Sequence, residues 1–333
     1  MLALELDDPQ WAAFLSSCPD AGPFHHPSWA QLLAECYGLR PFALVTSDTE
    51  GAIEAGVPVL QTRSGRRSRL LSLPFTDACA PLVHSEPARR RLAAELALVG
   101  QLELRGPLEG EGLVARVRGV THVLDLEDDP ESVRRRFRPQ MRRNVTRAER
   151  EDVVVRRGEG RADLVDTFYA LHLRTRRRQG VPVQPRRFFT LLWDDLIEPG
   201  LGTLLLAYSG TTPVAGAVFL NWNGAATYKF GASDPAYWGL RPNNLLFWEA
   251  IREACGRGDR TLDFGRTELD NHGLREFKCG WGAREEPLVY TFAGAVPHAD
   301  AQGFVVRALG TAIRHSPAWV CRAVGEAGYR YAA

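Results

Sequence analysis

Two stretches of the chain carry strand-like apolar runs on either side of a polar turn. Residues 42–60 and 203–220 each read as strand, polar glycine-containing turn and second strand. The second strands align as Ala55-Gly-Val-Pro-Val-Leu60 over Ala215-Gly-Ala-Val-Phe-Leu220, which predicts a duplicated unit with each hairpin in a mixed sheet of its own. Strand patterns also cover 69–73, 101–105, 121–126, 225–232, 261–264 and 287–292. Helical spacing predicts helices over 27–37, 87–99, 163–179, 185–197 and 242–255, with one or two more after residue 301, broken at Pro317. A basic helix over 130–151 joins the halves, and Pro139 should interrupt it, because proline supplies no N–H and clashes with the preceding turn. Strands with interspersed helices give an α+β class with mixed sheets rather than a doubly wound parallel fold.

At 333 residues the chain is long enough for two such units, and 45% apolar with 24% charged residues suits a globular protein. No run approaches a membrane span, and the first residues lack a signal-peptide pattern, so a cytoplasmic location is expected. The six cysteines form no Cys-x-x-Cys pair and the eight histidines no His-x-x-x-His pair, so neither metal chemistry nor a disulfide framework is expected. The adjacent His25 and His26 should divide into one buried or capping residue and one exposed.

Net charge is +1, but among 41 basic residues the only lysines are Lys229 and Lys278. Lys278 lies among Phe277, Cys279 and Trp281, where an ammonium suits a developing oxyanion or a phosphate, against the alternative of a snorkelling surface lysine. A role confined to the transition state would let Lys278 be replaced with little effect on folding. Asp263 ends a short strand ahead of a glycine turn, which places a charge in a cleft or makes a local Asx turn. After strand 225–232, Arg241, Asn243 and Asn244 stand at the start of the next predicted helix. They either serve a phosphate at the helix N-terminus or merely cap it. Arginines crowd 134–150 and 174–187, a phosphate-binding face or a solvated one paired with glutamates.

From Thr227 to Tyr290 the chain resembles the Fem family of peptidoglycan aminoacyltransferases and its FemAB-like, GNAT-related relatives. The resemblance is carried by Tyr228, Ala232-Ser-Asp234, Asn243-Asn244-Leu-Leu-x-Trp248, Asp263-Phe-Gly265 and above all Phe277-Lys278. It extends more loosely to Phe24-His-His-Pro-Ser-Trp29, Phe75-Thr-Asp77 and Arg143-Asn-Val-x-Arg-Ala148. It implies tandem GNAT-like domains over 1–150 (acceptor side) and 151–296 (donor side), with helices of 297–333 returning to the first. It implies an aminoacyl-tRNA co-substrate, no tightly bound cofactor, a cell-envelope precursor as acceptor and tRNA contacts through the arginine-rich helices. Phe277 and Lys278 would lie at the aminoacyl ester, with Asp263 as a third catalytic group. Asp77, Trp29, Tyr228, Arg241, Asn243 and Asn244 would bind substrates. The helical-hairpin insertion of some family members has no room here, and the glycine-rich pyrophosphate loop of GNAT enzymes is missing in strict form. A CoA-dependent N-acyltransferase and a non-catalytic binding protein of the same fold remain the alternatives.

Overall fold

The computed structural model describes residues 1–64, 67–296 and 303–329. The first half runs β1 (Leu2–Leu4), α1 (Pro9–Ser17), α2 (Pro27–Tyr37), β2 (Arg40–Ser47), β3 (Ile53–Ser64), β4 (Arg67–Leu71), β5 (Leu82–Val83), α3 (Glu86–Ala97), β6 (Leu102–Leu104) and β7 (Leu113–Asp125). Pro139 separates α4 (Pro130–Arg135) from α5 (Pro139–Arg150), and β8 (Val153–Arg157) follows. The second half continues with α6 (Tyr169–Gln179), α7 (Arg186–Leu192), β9 (Gly202–Ser209), β10 (Thr212–Trp222), β11 (Ala225–Ser233), α8 (Pro242–Arg257), β12 (Thr261–Asp263), α9 (His272–Cys279) and β13 (Arg284–Ala293). The chain ends with α10 (Gly303–His315) and α11 (Ala318–Gly328).

Both anticipated hairpins form, β2 with β3 and β9 with β10, but they do not lie in separate sheets. One path runs β1-β2-β3-β4-β6-β13-β7-β12-β11-β10-β9-β8. The seam is made by strands whose partners are far away in sequence. β13 inserts between β6 and β7, and β12 pairs antiparallel with β7 and parallel with β11. Local periodicity carries no information about such pairing, because each partner supplies only hydrogen bonds the strand would make with any neighbour.

Helices cover both faces, which explains the near-continuous apolar reading of β9 and β10. On one face Ala43, Val45, Leu204, Leu206, Val218 and Leu220 join a core with Trp11, Trp29, Phe188 and Phe189, so α1 and α2 of the first half share it with α6 and α7 of the second. On the other face Leu205, Ala207 and Phe219 pack with α5 and α8, while Leu44, Val57 and Val59 pack with α3. The C-terminal helices, expected against the first half, run along α6 of the second, while Tyr329 reaches the rings of Tyr37 and Phe75 at 6.0 and 4.9 Å. Residues 297–302 and 330–333 of that expected segment lie outside the described residues.

Candidate active site

β11 breaks its alternation at one point. The register with β10 passes from Val218↔Phe230 to Phe219↔Tyr228, leaving Lys229 as the extra residue of a bulge. Tyr228 and Phe230 therefore face opposite sides of the sheet, although a regular strand would put them on the same side. Tyr228 packs against Phe219 and Phe247, at ring distances of 5.5 and 4.9 Å. It borders a cavity of about 360 Å³ between β10, β11, the start of α8 and the end of α9, lined also by Asn243, Phe247, Phe277 and Lys278. Its hydroxyl lies directly over Gly231, where a Cβ would meet it at 1.7 Å. Burial raises the Tyr228 phenol to about 12.

The rim of this cavity is polar and cationic. Trp238 donates its indole N–H to Ser233 Oγ at 2.9 Å, and the Arg178 guanidinium lies 5.2 Å from the Trp238 ring centre. Asn243 Nδ2 reaches the same Ser233 Oγ at 3.4 Å. The N-terminus of α8 carries no side-chain cap, so the capping reading of Asn243 and Asn244 does not hold. Asn244, one position on and so rotated away, is buried with Nδ2 3.4 Å from Met141 Sδ. Arg241 is the N-cap residue in the left-handed region at φ 61°, and it is not among the residues lining the cavity.

Three charged groups meet at Gly265. Lys278, the penultimate residue of α9, is buried and donates from Nζ to Gly265 O at 2.7 Å and Arg266 O at 3.2 Å. Asp263, at the end of β12, accepts from Gly265 N at 2.8 Å and from Thr121 Oγ1. Asp77 approaches the Cα side of Gly265 so closely that a Cβ there would stand 2.9 Å from Oδ2. Gly265 has φ +70°, so both the conformation and the space require glycine. Burial raises the Asp263 carboxyl to about 6, offset by its hydrogen bonds and by Lys278. Burial lowers the Lys278 ammonium to about 8, offset by Asp263 and Asp77.

Trp29, expected to touch substrate, is fully buried instead. It donates from Nε1 to Thr76 Oγ1 at 2.7 Å and lies beneath Lys229. Phe277 stacks near Phe247 and Trp281 at 5.6 and 6.0 Å. His25 is buried with both ring nitrogens bonded, and His26 caps α2. His122, Cys279 and Glu285 bring donor atoms within 4.8 Å of one another, but Arg275 already holds both Glu285 oxygens at 2.7 and 2.8 Å. That group is an ion-pair network. The residue that motif reading left unassigned is Lys229, whose signal was its rarity in an arginine-rich chain.

The arginine-rich stretches are largely tied into the protein itself. Arg134 lies over Trp248, Arg142 holds the carbonyls of Arg135 and Phe137, Arg177 holds Ser316 O, and Arg187 pairs with Glu35.

Residues 135–278 match the family model described as an acetyltransferase (GNAT) domain. Among solved structures, FemX superposes with a TM-score of 0.70 at 15% identity, covering 89% of this chain and 98% of its own. The fold is a tandem GNAT fold. L-PGS from Bacillus licheniformis covers 93% of this chain and 99% of its own at TM-score 0.55 and 14% identity. A tandem GNAT protein from the clavulanic acid biosynthesis pathway covers 89% and 99% at TM-score 0.52 and 13% identity. No curated protein matches the chain. The matched GNAT segment is of the acyltransferase type, and it contains the cavity, Asp263 and Lys278, while Asp77 comes from outside it. Among the described residues no helix is long and apolar enough to cross a membrane.

Proposed function

We propose that the chain joins an activated acyl group to an amine, with aminoacyl-tRNA as the favoured donor and a cell-envelope precursor as the acceptor. A cytosolic reaction fits this reading. Residues 1–150 would present the acceptor and 151–296 the donor. The observation that carries it is the convergence of Lys278, Asp263 and Asp77 on Gly265 beside a cavity that Phe277 and Lys278 line. The lining includes the cations Arg178 and Lys278 and no carboxylate, which suits a donor carrying phosphate. Asn243, in the first turn of α8, adds a polar side chain to that lining.

In this mechanism an acceptor amine attacks the donor carbonyl. A C–N bond forms and the C–O bond of the ester breaks, or the C–S bond of a thioester. Asp263 takes the proton that the amine loses, and the leaving oxygen or sulfur acquires one in turn. Two carbonyls occupy two of the three Lys278 N–H bonds, leaving one for the oxyanion. Holding both reactants in one cleft supplies much of the rate. Asp77, from the first half, would hold the acceptor as an ammonium, which gives one proton to solvent before the free amine attacks.

The donor is tested by titrating tRNA and acetyl-CoA against the full chain at two salt concentrations. Tighter tRNA binding that weakens steeply with salt is expected. Saturable acetyl-CoA binding with no tRNA binding would transfer the reading to a CoA-dependent N-acyltransferase.

A further inference from the structure

Asp77 sits at the end of a strap whose backbone is strained. Leu73 and Phe75 both have positive φ, 63° and 60°, a region that costs a non-glycine residue on the order of 1–3 kcal/mol. Two local hydrogen bonds, Leu73 N to Leu71 O at 2.7 Å and Thr76 Oγ1 to Pro74 O at 3.4 Å, are joined by side chains from far along the chain. Lys229 donates to Phe75 O at 2.6 Å, Arg105 donates to Thr76 O, and the Tyr290 hydroxyl donates to Asp77 O at 2.9 Å. Trp29 holds the Thr76 side chain. Three successive carbonyls are thus each held by a side chain from a different segment: β11, the residue after β6, and β13.

Among these clamps Lys229 stands apart. It is the bulge residue of β11, so it shares a face with Phe230 rather than alternating with it. Its ammonium lies 5.1, 5.2 and 5.5 Å from the ring centres of Phe24, Trp29 and Phe230, which leaves little freedom to choose another partner. The charged groups facing it are Asp77, Arg105 and Arg176. Those acting on Lys278 are Asp263 and Asp77, with His122 behind, and Lys229 is not one of them.

We propose that Lys229 is a positioning residue: from the bulge of β11 it fixes the Leu73–Asp77 strap, and so sets the Asp77 carboxylate against Gly265 beside Lys278. This rests on the reading that Asp77 and Lys278 flank the transfer site. A compact ammonium at the bulge links the donor half of the sheet to the loop that presents the acceptor-side carboxylate.

The test uses full-length protein labelled with [ε-13C]lysine, which gives two side-chain signals because the chain has two lysines. The NMR titration midpoint of Lys278 is followed in wild type, Lys229→Met and Asp77→Asn. Removing a cation directly would raise that midpoint, whereas releasing Asp77 lowers it, so the sign separates the two effects. Both variants are expected to bring the midpoint down by about one pH unit, with no further fall in the double variant. An unchanged or raised midpoint in Lys229→Met, alongside a lowered one in Asp77→Asn, overturns the positioning role even if the melting temperature drops. An unchanged midpoint in Asp77→Asn overturns the proposal together with the reading beneath it. Should Lys229→Met not fold, Tyr290→Phe releases the same strap at the Asp77 carbonyl, and an unchanged midpoint there counts against the proposal.

Discussion

Burial drives Asp263 up to about 6 and Lys278 down to about 8, so between those values the carboxylate is ready to accept a proton while the ammonium is still charged. Turnover should therefore plateau between about pH 6 and 8, as apparent values of a coupled pair. Asp263→Asn should remove the acid limb of a kcat profile, and Lys278→Met should lower turnover by roughly two to three orders of magnitude. An acid limb that survives Asp263→Asn would show that another group is the base. Stability follows the opposite slopes. From 3.8 to about 6 the native state keeps a proton on Asp263 that the unfolded chain has lost, so this contribution falls as pH rises. From about 8 to 10.5 the unfolded chain holds the Lys278 proton that the native state has lost, so that contribution rises. The expectation that Lys278 could be replaced at no cost to folding also changes. Its Nζ satisfies two carbonyls, and leaving them unpaired costs about 1–3 kcal/mol each where water cannot reach them. Thermal melts of Lys278→Met should show that loss beside the catalytic one.

At the scale of elements, β11 is where strand geometry becomes chemistry. The bulge at Lys229 turns Tyr228 to the cavity and Lys229 to the strap, and Gly231 leaves room for the Tyr228 hydroxyl. A Cβ at Gly231 would meet that hydroxyl at 1.7 Å, so Gly231→Ala must displace the phenol, which borders the cavity proposed for the donor. Donor affinity should fall by about tenfold or more, the effect of roughly 1.4 kcal/mol, with the tRNA or acetyl-CoA titration as the measure. The Lys278 midpoint, on which Asp263 and Asp77 act, should stay near wild type. The alternating pattern of 225–232 predicted the strand correctly, but a bulge depends on the register of the partner strand. β8 shows the same limit. Its Val153-Val-Val155 run is strand-like but only three residues long and follows directly on a basic helix, and pairing with β9 is what sets it at the sheet edge.

For the whole molecule, the question is whether the halves fold separately. β13 fills the slot between β6 and β7, carrying buried Leu288, Tyr290 and Phe292, and α2 shares its core with α7. A fragment of residues 1–150 would leave that slot open, exposing edge strands and the apolar face that α7 covers. It is expected to be insoluble or to show no cooperative melt, and coexpression with 151–333 should restore a folded complex. A soluble, cooperatively melting 1–150 would show instead that the continuous sheet is a loose junction of independent domains.

The sequence by itself determined the type of most elements, though not β1, α1, β5 or β8, together with the break at Pro139, the two hairpins and the α+β class, because these follow from periodicity and from the backbone chemistry of proline and glycine. It also singled out Asp263 and Lys278, as charges among apolar and glycine residues, while Asp77 and Phe277 came from the resemblance to the Fem family. Only the tertiary structure decided that these charges meet at Gly265, that Trp29 is sealed in the core, and that one sheet runs through both halves. Each of these depends on pairing between residues far apart along the chain. The free energy of such pairing comes from excluding water at a shared surface, and no local pattern records which surface that will be.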